Sequence, residues 1–292
     1  MSQHDHAHTL EDLLPREARL VTWLVIEQEE RTLQRVYELD EAPDLHWLFY
    51  GTRYAELPEK SPLVVRISAS SSLWQAFVDG GSEPPLRGIM VTSRESSASV
   101  MAHLRRLLEV TFYGRRRALL RFYDPWIMAV LLGAESSVAR WLGPLEGIYW
   151  YGGTFAQRAE SGAVWHACTQ ARQEVGAHDG VAREEIALTR SEEAALETFV
   201  ADYPLWVELE TRAGLEAGSA EHAARFVEVL EEAQRLTIPP TEWGDYLKLR
   251  FVHFRAGLPE GMMARPVEER LSALRRHIGH EPDDTNTGKV WA

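Results

Sequence analysis

Ala118-Leu119-Leu120-Arg121-Phe122-Tyr123-Asp124-Pro125-Trp126-Ile127-Met128-Ala129-Val130-Leu131-Leu132 carries the most local information in the chain. An apolar and aromatic run ends at Tyr123, and the two residues after it have complementary uses at a helix start. The Asp124 carboxylate can accept from the first free amides, and Pro125 at the first helical position lacks the N–H that would be orphaned there. The stretch therefore predicts a strand over Ala118–Tyr123 that turns sharply into a helix. Arg121, on the same strand face as Leu119, then needs a carboxylate or carbonyl partner if that face is covered. This role is structural and requires no ligand.

On either side of this turn, short apolar runs alternate with helical patterns, as in a sheet with helices packed on it. Leu20–Ile26, Leu63–Ile67, Arg87–Thr92 and Gly147–Tyr151 read as further strands. Glu29–Leu39 and Ser71–Val78 read as helices, as does Ser97–Val110, where Val100, Leu104, Leu107 and Leu108 form one apolar stripe. Past residue 155 the sequence becomes loop-like and then helical. Thr189 and Glu192 have capping-box spacing. Helical periodicity follows over residues 191 to 203, 219 to 236 and 241 to 256, and again through Leu271, Leu274 and Ile278. The fold class is α/β in the α+β sense, a mixed sheet with packed helices followed by a helical lobe. Residues 18 to 152 form the sheet domain, 153 to 188 a connecting segment, 189 to 278 the helical lobe and 279 to 292 a loose polar tail.

With 292 residues, 45% hydrophobic and 26% charged, the chain has the composition of a folded protein and not of a disordered one. No apolar run approaches the roughly 18 to 20 residues a membrane crossing needs, and the start, MSQHDHAHTLEDLL, lacks a basic region followed by an apolar one. A cytoplasmic chain is expected. A net charge of −13 argues against affinity for nucleic acid or an anionic membrane. The charge is uneven: residues 84 to 126 carry eight arginines against three acids, and residues 160 to 237 carry sixteen acids against six arginines.

A search for chemistry finds no catalytic, cofactor or metal set. One cysteine, Cys168, allows no internal disulfide and no cysteine-only metal site. His166 would share a strand face with it, but no basic partner is identifiable to lower the thiol pKa. His4, His6 and His8 alternate at a terminus read as unstructured, where nothing would orient them. Gly80-Gly81 and Gly152-Gly153 match neither a dinucleotide nor a phosphate loop and read as chain reversals. Glu184-Glu185, Glu192-Glu193 and Glu231-Glu232 read as solvated surface, because adjacent helix residues point about 100° apart and do not converge on one atom. Ten tryptophans are a surplus, and aromatic rings also anchor interfaces. Tyr149, Trp150, Tyr151, Trp206 and Trp243 are the candidate anchors for a protein partner. Trp206 and Trp243 would stand in a wall formed by the helical lobe, whose acidic flanks favour a basic cargo segment.

LLRFYDPWIMAVLL, preceded by MAHLRRLLEV and followed by LGPLEGIYW, resembles the adaptor chaperones of bacterial type VI secretion, the Tap or TEC family. LFYGTRYAELPEKSPLVVRIS and RGIMVTS upstream follow in the same order, so the likeness covers about residues 18 to 152. Gly51, Pro62, His103, Arg105, Arg106, Arg121, Tyr123, Asp124 and Pro125 match the family pattern as signature positions, expected to be scaffold. The resemblance implies a non-enzymatic adaptor that binds one secreted effector in the cytoplasm and helps load it onto the VgrG spike. An enzyme of unrecognised type in the α/β half and a homo-oligomeric structural protein remain as alternatives.

Overall fold

Val21–Ile26 (β2) lies inside the main sheet, with its last four residues buried. It pairs antiparallel with Leu63–Ile67 (β4) on one side and Gly88–Ser93 (β5) on the other. Asp44–Trp47 (β3) closes the edge beyond β4. Gly147–Tyr151 (β8) continues from β5, followed by Trp165–Gln170 (β9) and Ser2–Ala7 (β1), giving the order β1-β9-β8-β5-β2-β4-β3. The computed structural model describes residues 2–7, 9–14, 19–68, 71–79, 86–134, 138–170, 185–213, 215–216 and 218–279.

The apolar runs of the strands follow from burial on both faces. Side chains alternate across a strand. Trp23 and Val25 therefore enter one core with Val64, Ile89, Val91, Ile148 and Trp150. Leu24 and Ile26 enter another with Leu63, Val65, Met90 and Tyr149. Ser97–Leu107 (α3), Pro125–Gly133 (α4) and Ala139–Leu142 (α5) cover the first core. Thr32–Leu39 (α1) and Ser72–Asp79 (α2) cover the second. Each fully buried aliphatic side chain contributes about 1.5–3 kcal/mol. At the start of β5 the packing reaches the backbone: a Cβ on Gly88 would lie 2.1 Å from the Val25 carbonyl oxygen, so only glycine fits.

A second sheet has the order β10-β6-β7, from Ile186–Ala187 (β10), Glu109–Phe112 (β6) and Arg116–Leu119 (β7). It holds the parallel pairing, β10 with β6, whereas every pairing in the large sheet is antiparallel. The α+β class with a helical C-terminal region is as expected. The helix expected over Ser97–Val110 stops at Leu107, because Val110, Thr111 and Phe112 pair with β7. The strand expected over Ala118–Tyr123 ends at Leu119. Leu120 still donates to the Leu108 carbonyl at 2.8 Å, and the chain then turns, with the Asp124 amide on the Arg121 carbonyl at 2.9 Å. The N-terminus, expected to be unstructured, pairs along β9 from Ser2 to Ala7. The stretch after residue 155, expected as loop, holds Phe155–Ser161 (α6) and β9.

Contacts divide the chain into two units, residues 1–154 with 163–199, and residues 155–162 with 200–292. Arg190–Ala213 (α7) passes from the first to the second. The periodic pattern was expected to stop at residue 203, before Pro204, yet α7 runs through it. Pro204 cannot donate to the Val200 carbonyl, a loss that the burial of Trp206 and Leu209 on the following turn offsets. Ala220–Arg235 (α8), Trp243–Val252 (α9) and Val267–Ile278 (α10) complete the second unit. Its core includes Phe155, Trp206 and Phe226, whose rings lie 4.9 to 5.3 Å apart. Buried Arg270 donates to the carbonyls of Arg265, Met263 and Leu236 and to the Thr237 hydroxyl, tying two turns together. Among the described residues no helix is long and apolar enough to cross a membrane. The expected tail from residue 280 and the Gly80-Gly81 turn lie outside the described residues.

Candidate functional site

Three groups of signature residues fix the first unit, and each has a local cause. The Asp124 carboxylate accepts from the Trp126 amide at 2.9 Å, with Pro125 at the first helical position, so the expected cap is present. Arg121 pairs with Glu27 at the end of β2 and stands 3.8 Å from Asp124. It does so from a turn and not from a strand face. Burial raises the Glu27 carboxyl despite Arg121, and burial pushes the Tyr123 phenol up to about 12. Asp124→Ala should cost about 0.5–2 kcal/mol, read from the denaturation midpoint. An unchanged midpoint would remove the cap from the account.

Pro62 and Arg105 belong together. The Leu48 amide donates to the Pro62 carbonyl at 3.0 Å. Pro62 has no N–H to return, and Arg105 Nε fills the vacancy by donating to the Leu48 carbonyl at 3.2 Å. Gly51, at φ 77°, turns the chain just beyond.

His103 is buried between Trp141 and Arg106. Its Nε2 lies 2.8 Å from the Trp141 carbonyl, which can only accept, so that nitrogen carries the proton. Nδ1 then accepts from Arg106 at 3.0 Å. Burial, with the Arg106 charge adding to it, lowers the His103 pKa to about 4. Gly143, at φ 51°, is required here, because a Cβ would come within 2.4 Å of the imidazole. The Trp141 indole in turn donates to Glu192 at 3.1 Å. Glu192 is fully buried, pairs with Arg140 and closes the capping box with Thr189, whose amide donates to it at 2.8 Å. The burial penalty on the Glu192 carboxyl is overcome by Arg140, Thr189 and Trp141, and its pKa is lowered.

Two of the acids expected as solvated surface are therefore interior. Glu192 is one. Glu232 is the other, bound by Arg250 at 2.7 Å and by the Tyr246 hydroxyl. In the two pairs that stand on helices, Glu192-Glu193 and Glu231-Glu232, the 100° step that keeps adjacent acids from converging also turns one member inward. Glu193 accepts from the Tyr113 amide, and Glu185 pairs with Arg117 at 2.7 Å. Glu184 lies outside the described residues.

The expected aromatic anchors divide by burial. Tyr149 and Trp150 are fully buried in opposite cores, as neighbours must be on a strand covered on both faces. Trp206 is also fully buried. These three rings are structural, which corrects their assignment as surface anchors. Trp243 is half-buried, its indole donating to the Ile238 carbonyl at 2.7 Å. Tyr151 remains exposed beside Trp165. The exposed tyrosines among the described residues, Tyr37, Tyr50, Tyr113 and Tyr151, all belong to the first unit. The large exposed hydrophobics of the second are Val200, Val207, Val252 and Met263. Available aromatic surface thus lies on the sheet unit, where Tyr151 is the exposed member of the expected anchors, while the two anchors expected in the helical lobe are buried at Trp206 and half-buried at Trp243.

Among the described residues no group of three or more His, Cys, Asp and Glu is placed to hold a metal ion. His6 lies across from His166 with ring centroids 6.0 Å apart, while the side chains of His4 and His8 lie outside the described residues. Cys168 is buried, and burial pushes its thiol up to about 12, the opposite of what a thiolate nucleophile needs. His166 stacks on Trp150 at 5.6 Å. Gly152 and Gly153, both at positive φ, reverse the chain after β8.

The first unit is thus an antiparallel sheet clad on both faces, with tyrosines outside and its polar networks used internally. Residues 22–139 match the family described as a domain of unknown function (DUF4123), which is associated with effector adaptors of type VI secretion. The match runs from β2 to the start of α5, so β8, β9 and β1, which complete the sheet, lie beyond it. No curated protein and no solved structure matches the chain.

Proposed function

We propose that this protein is a non-enzymatic adaptor chaperone of type VI secretion, which binds one effector protein in the cytoplasm and helps deliver it to the VgrG spike. The observation that carries this reading is the family match over residues 22–139, in which Pro62, Arg105, His103, Asp124 and Pro125 all have structural duties. A matched region whose signature residues build the frame suits a carrier whose partners differ. The buried thiol of Cys168 and the internally satisfied Glu192 and His103 support it further, since groups committed to the core do not turn over substrate.

The test is to read the neighbouring genes for a spike protein and a toxin and to co-express this chain with what they encode, followed by size-exclusion chromatography. A stoichiometric complex with the effector is expected, and hydrolase or transferase turnover by the isolated protein is not. Saturable turnover that disappears in Cys168→Ala or His166→Ala would overturn the adaptor reading.

A further inference from the structure

The β3 edge of the large sheet is open in a way that can be read residue by residue. β3 pairs with β4 through Asp44↔Arg66, Leu45↔Val65, His46↔Val64 and Trp47↔Leu63, and nothing among the described residues pairs with its other side. The Leu48 amide points at Pro62, so by alternation the amides of Asp44 and His46 point into the ladder, and those of Leu45 and Trp47 point away. Those two N–H groups and the Leu45 carbonyl have no partner among the described residues. The Trp47 carbonyl is taken by the Tyr50 amide at 3.2 Å.

A shallow groove runs beside this edge, lined by Leu45, His46, Trp47, Tyr50 and Arg105. Its two sides differ in chemistry. Leu45 and Trp47 are partly buried at the rim of the core under α1 and α2. His46 lies opposite Val64 and so belongs to the other face, with Arg105 of α3. Tyr50 stands 74% exposed with no partner for its ring among the described residues. Arg105 spends its Nε on Leu48, and no described residue forms an ion pair with it. Asp44, the acid on this face, is already met by His46 at 3.3 Å and Arg66 at 3.9 Å. Arg105 is thus a guanidinium left without a carboxylate among the described residues at this edge, on a chain of net charge −13.

We propose that the free edge of β3 is a strand-addition site for an extended segment of the cargo protein, one that alternates apolar residues toward Leu45 and Trp47 with carboxylates toward His46 and Arg105. The inference rests on the adaptor reading above and adds to it the surface and the chemistry of the bound segment. Main-chain bonds at Leu45 and Trp47 supply the affinity, and the alternation at the two walls supplies the selection.

The test uses the full chain and its co-expressed effector. Leu45→Pro removes one outward N–H without touching the ladder to β4, and Leu45→Ala is the control that keeps the amide. Tyr50→Asp sets a carboxylate against the incoming one at an exposed position. With the melting temperature unchanged, Leu45→Pro should weaken effector binding by about tenfold or more, from a lost amide bond and a blocked approach. Leu45→Ala should weaken it much less, and Tyr50→Asp should weaken it most at low salt. Amide exchange at Leu45 and Trp47 should slow when the effector binds. Effector binding by Leu45→Pro within twofold of wild type, or unchanged exchange at these two amides, overturns the inference and leaves the adaptor reading standing. A wild-type protein that captures no effector overturns both. Self-association of wild type that Leu45→Pro abolishes would give the edge to a second copy of this chain instead.

Discussion

Replacing Glu232 with alanine should destabilise the protein by about 3–5 kcal/mol, the cost of leaving a buried charge without its partner. Arg250 is almost wholly buried, donating through Nε at 2.7 Å and Nη2 at 3.1 Å to the Glu232 carboxylate. Its Nη1 donates to the His253 and Ala256 carbonyls, so the guanidinium also holds the turn after α9. The Tyr246 hydroxyl, whose pKa burial raises, donates to the same carboxylate. Alanine would leave the guanidinium without a countercharge, its Nε and Nη2 without that acceptor, and the phenol without its carboxylate. Glu232→Gln keeps an acceptor and should cost less, and the pair replacement Glu232→Met with Arg250→Met should cost less than Glu232→Ala alone. Denaturant unfolding of the four proteins checks this. A Glu232→Ala cost below about 1 kcal/mol, the range of an exposed pair, would show that the network is solvated.

Acid should destabilise the first unit through His103. Its folded pKa is lowered to about 4 from the ordinary 6.5, so between those values the unfolded chain binds a proton that the folded chain refuses. The contribution is complete above pH 6.5 and is lost as the pH falls toward 4, amounting to about 3 kcal/mol at one pKa unit per 1.36 kcal/mol. Glu192, with a lowered carboxyl pKa, adds a loss in the same direction at lower pH. Asp202 works against both, because burial raises its carboxyl to about 6 and protonation there favours the folded state. The measurement is therefore a difference. The unfolding free energy of wild type should fall more steeply from pH 6.5 to 4 than that of His103→Gln, in which Asp202 and Glu192 still titrate. Parallel slopes would mean that the imidazole is reached by solvent.

Much of the fold was legible because its causes are local. Asp124-Pro125 announced a helix start, Thr189 with Glu192 announced a capping box, and four strands were readable as apolar runs bounded by breakers. Elsewhere, partners distant in sequence override the local pattern. Glu109 to Phe112 continues a helical stripe in sequence and becomes a strand because Arg116–Leu119 folds back on it. Ser2–Ala7 has no strand composition at all and is held by the edge of β9. Pro204 would end a helix on local grounds, and burial of Trp206 carries the helix past it.

The candidate site divides in the same way. Surplus aromatics were correctly seen as numerous, but which ones face solvent depends on what covers each strand face, and that is a property of the assembled sheet. Tyr149 and Trp150 have the pattern of anchors and are core, while Tyr50 is exposed, with only its place beside an unpaired edge to mark it.

By itself the sequence determined the α+β class, the turn at Asp124-Pro125 and the start of α7, since caps, breakers and periodicity act within a few residues of their own position. Only the tertiary structure decided that Glu192 and Glu232 are interior ion-pair members, that Arg105 completes a bond Pro62 cannot make, and that β3 is left as an open edge. Burial and unpaired backbone groups are set by which distant segment arrives alongside, and no residue carries that information in its own neighbourhood.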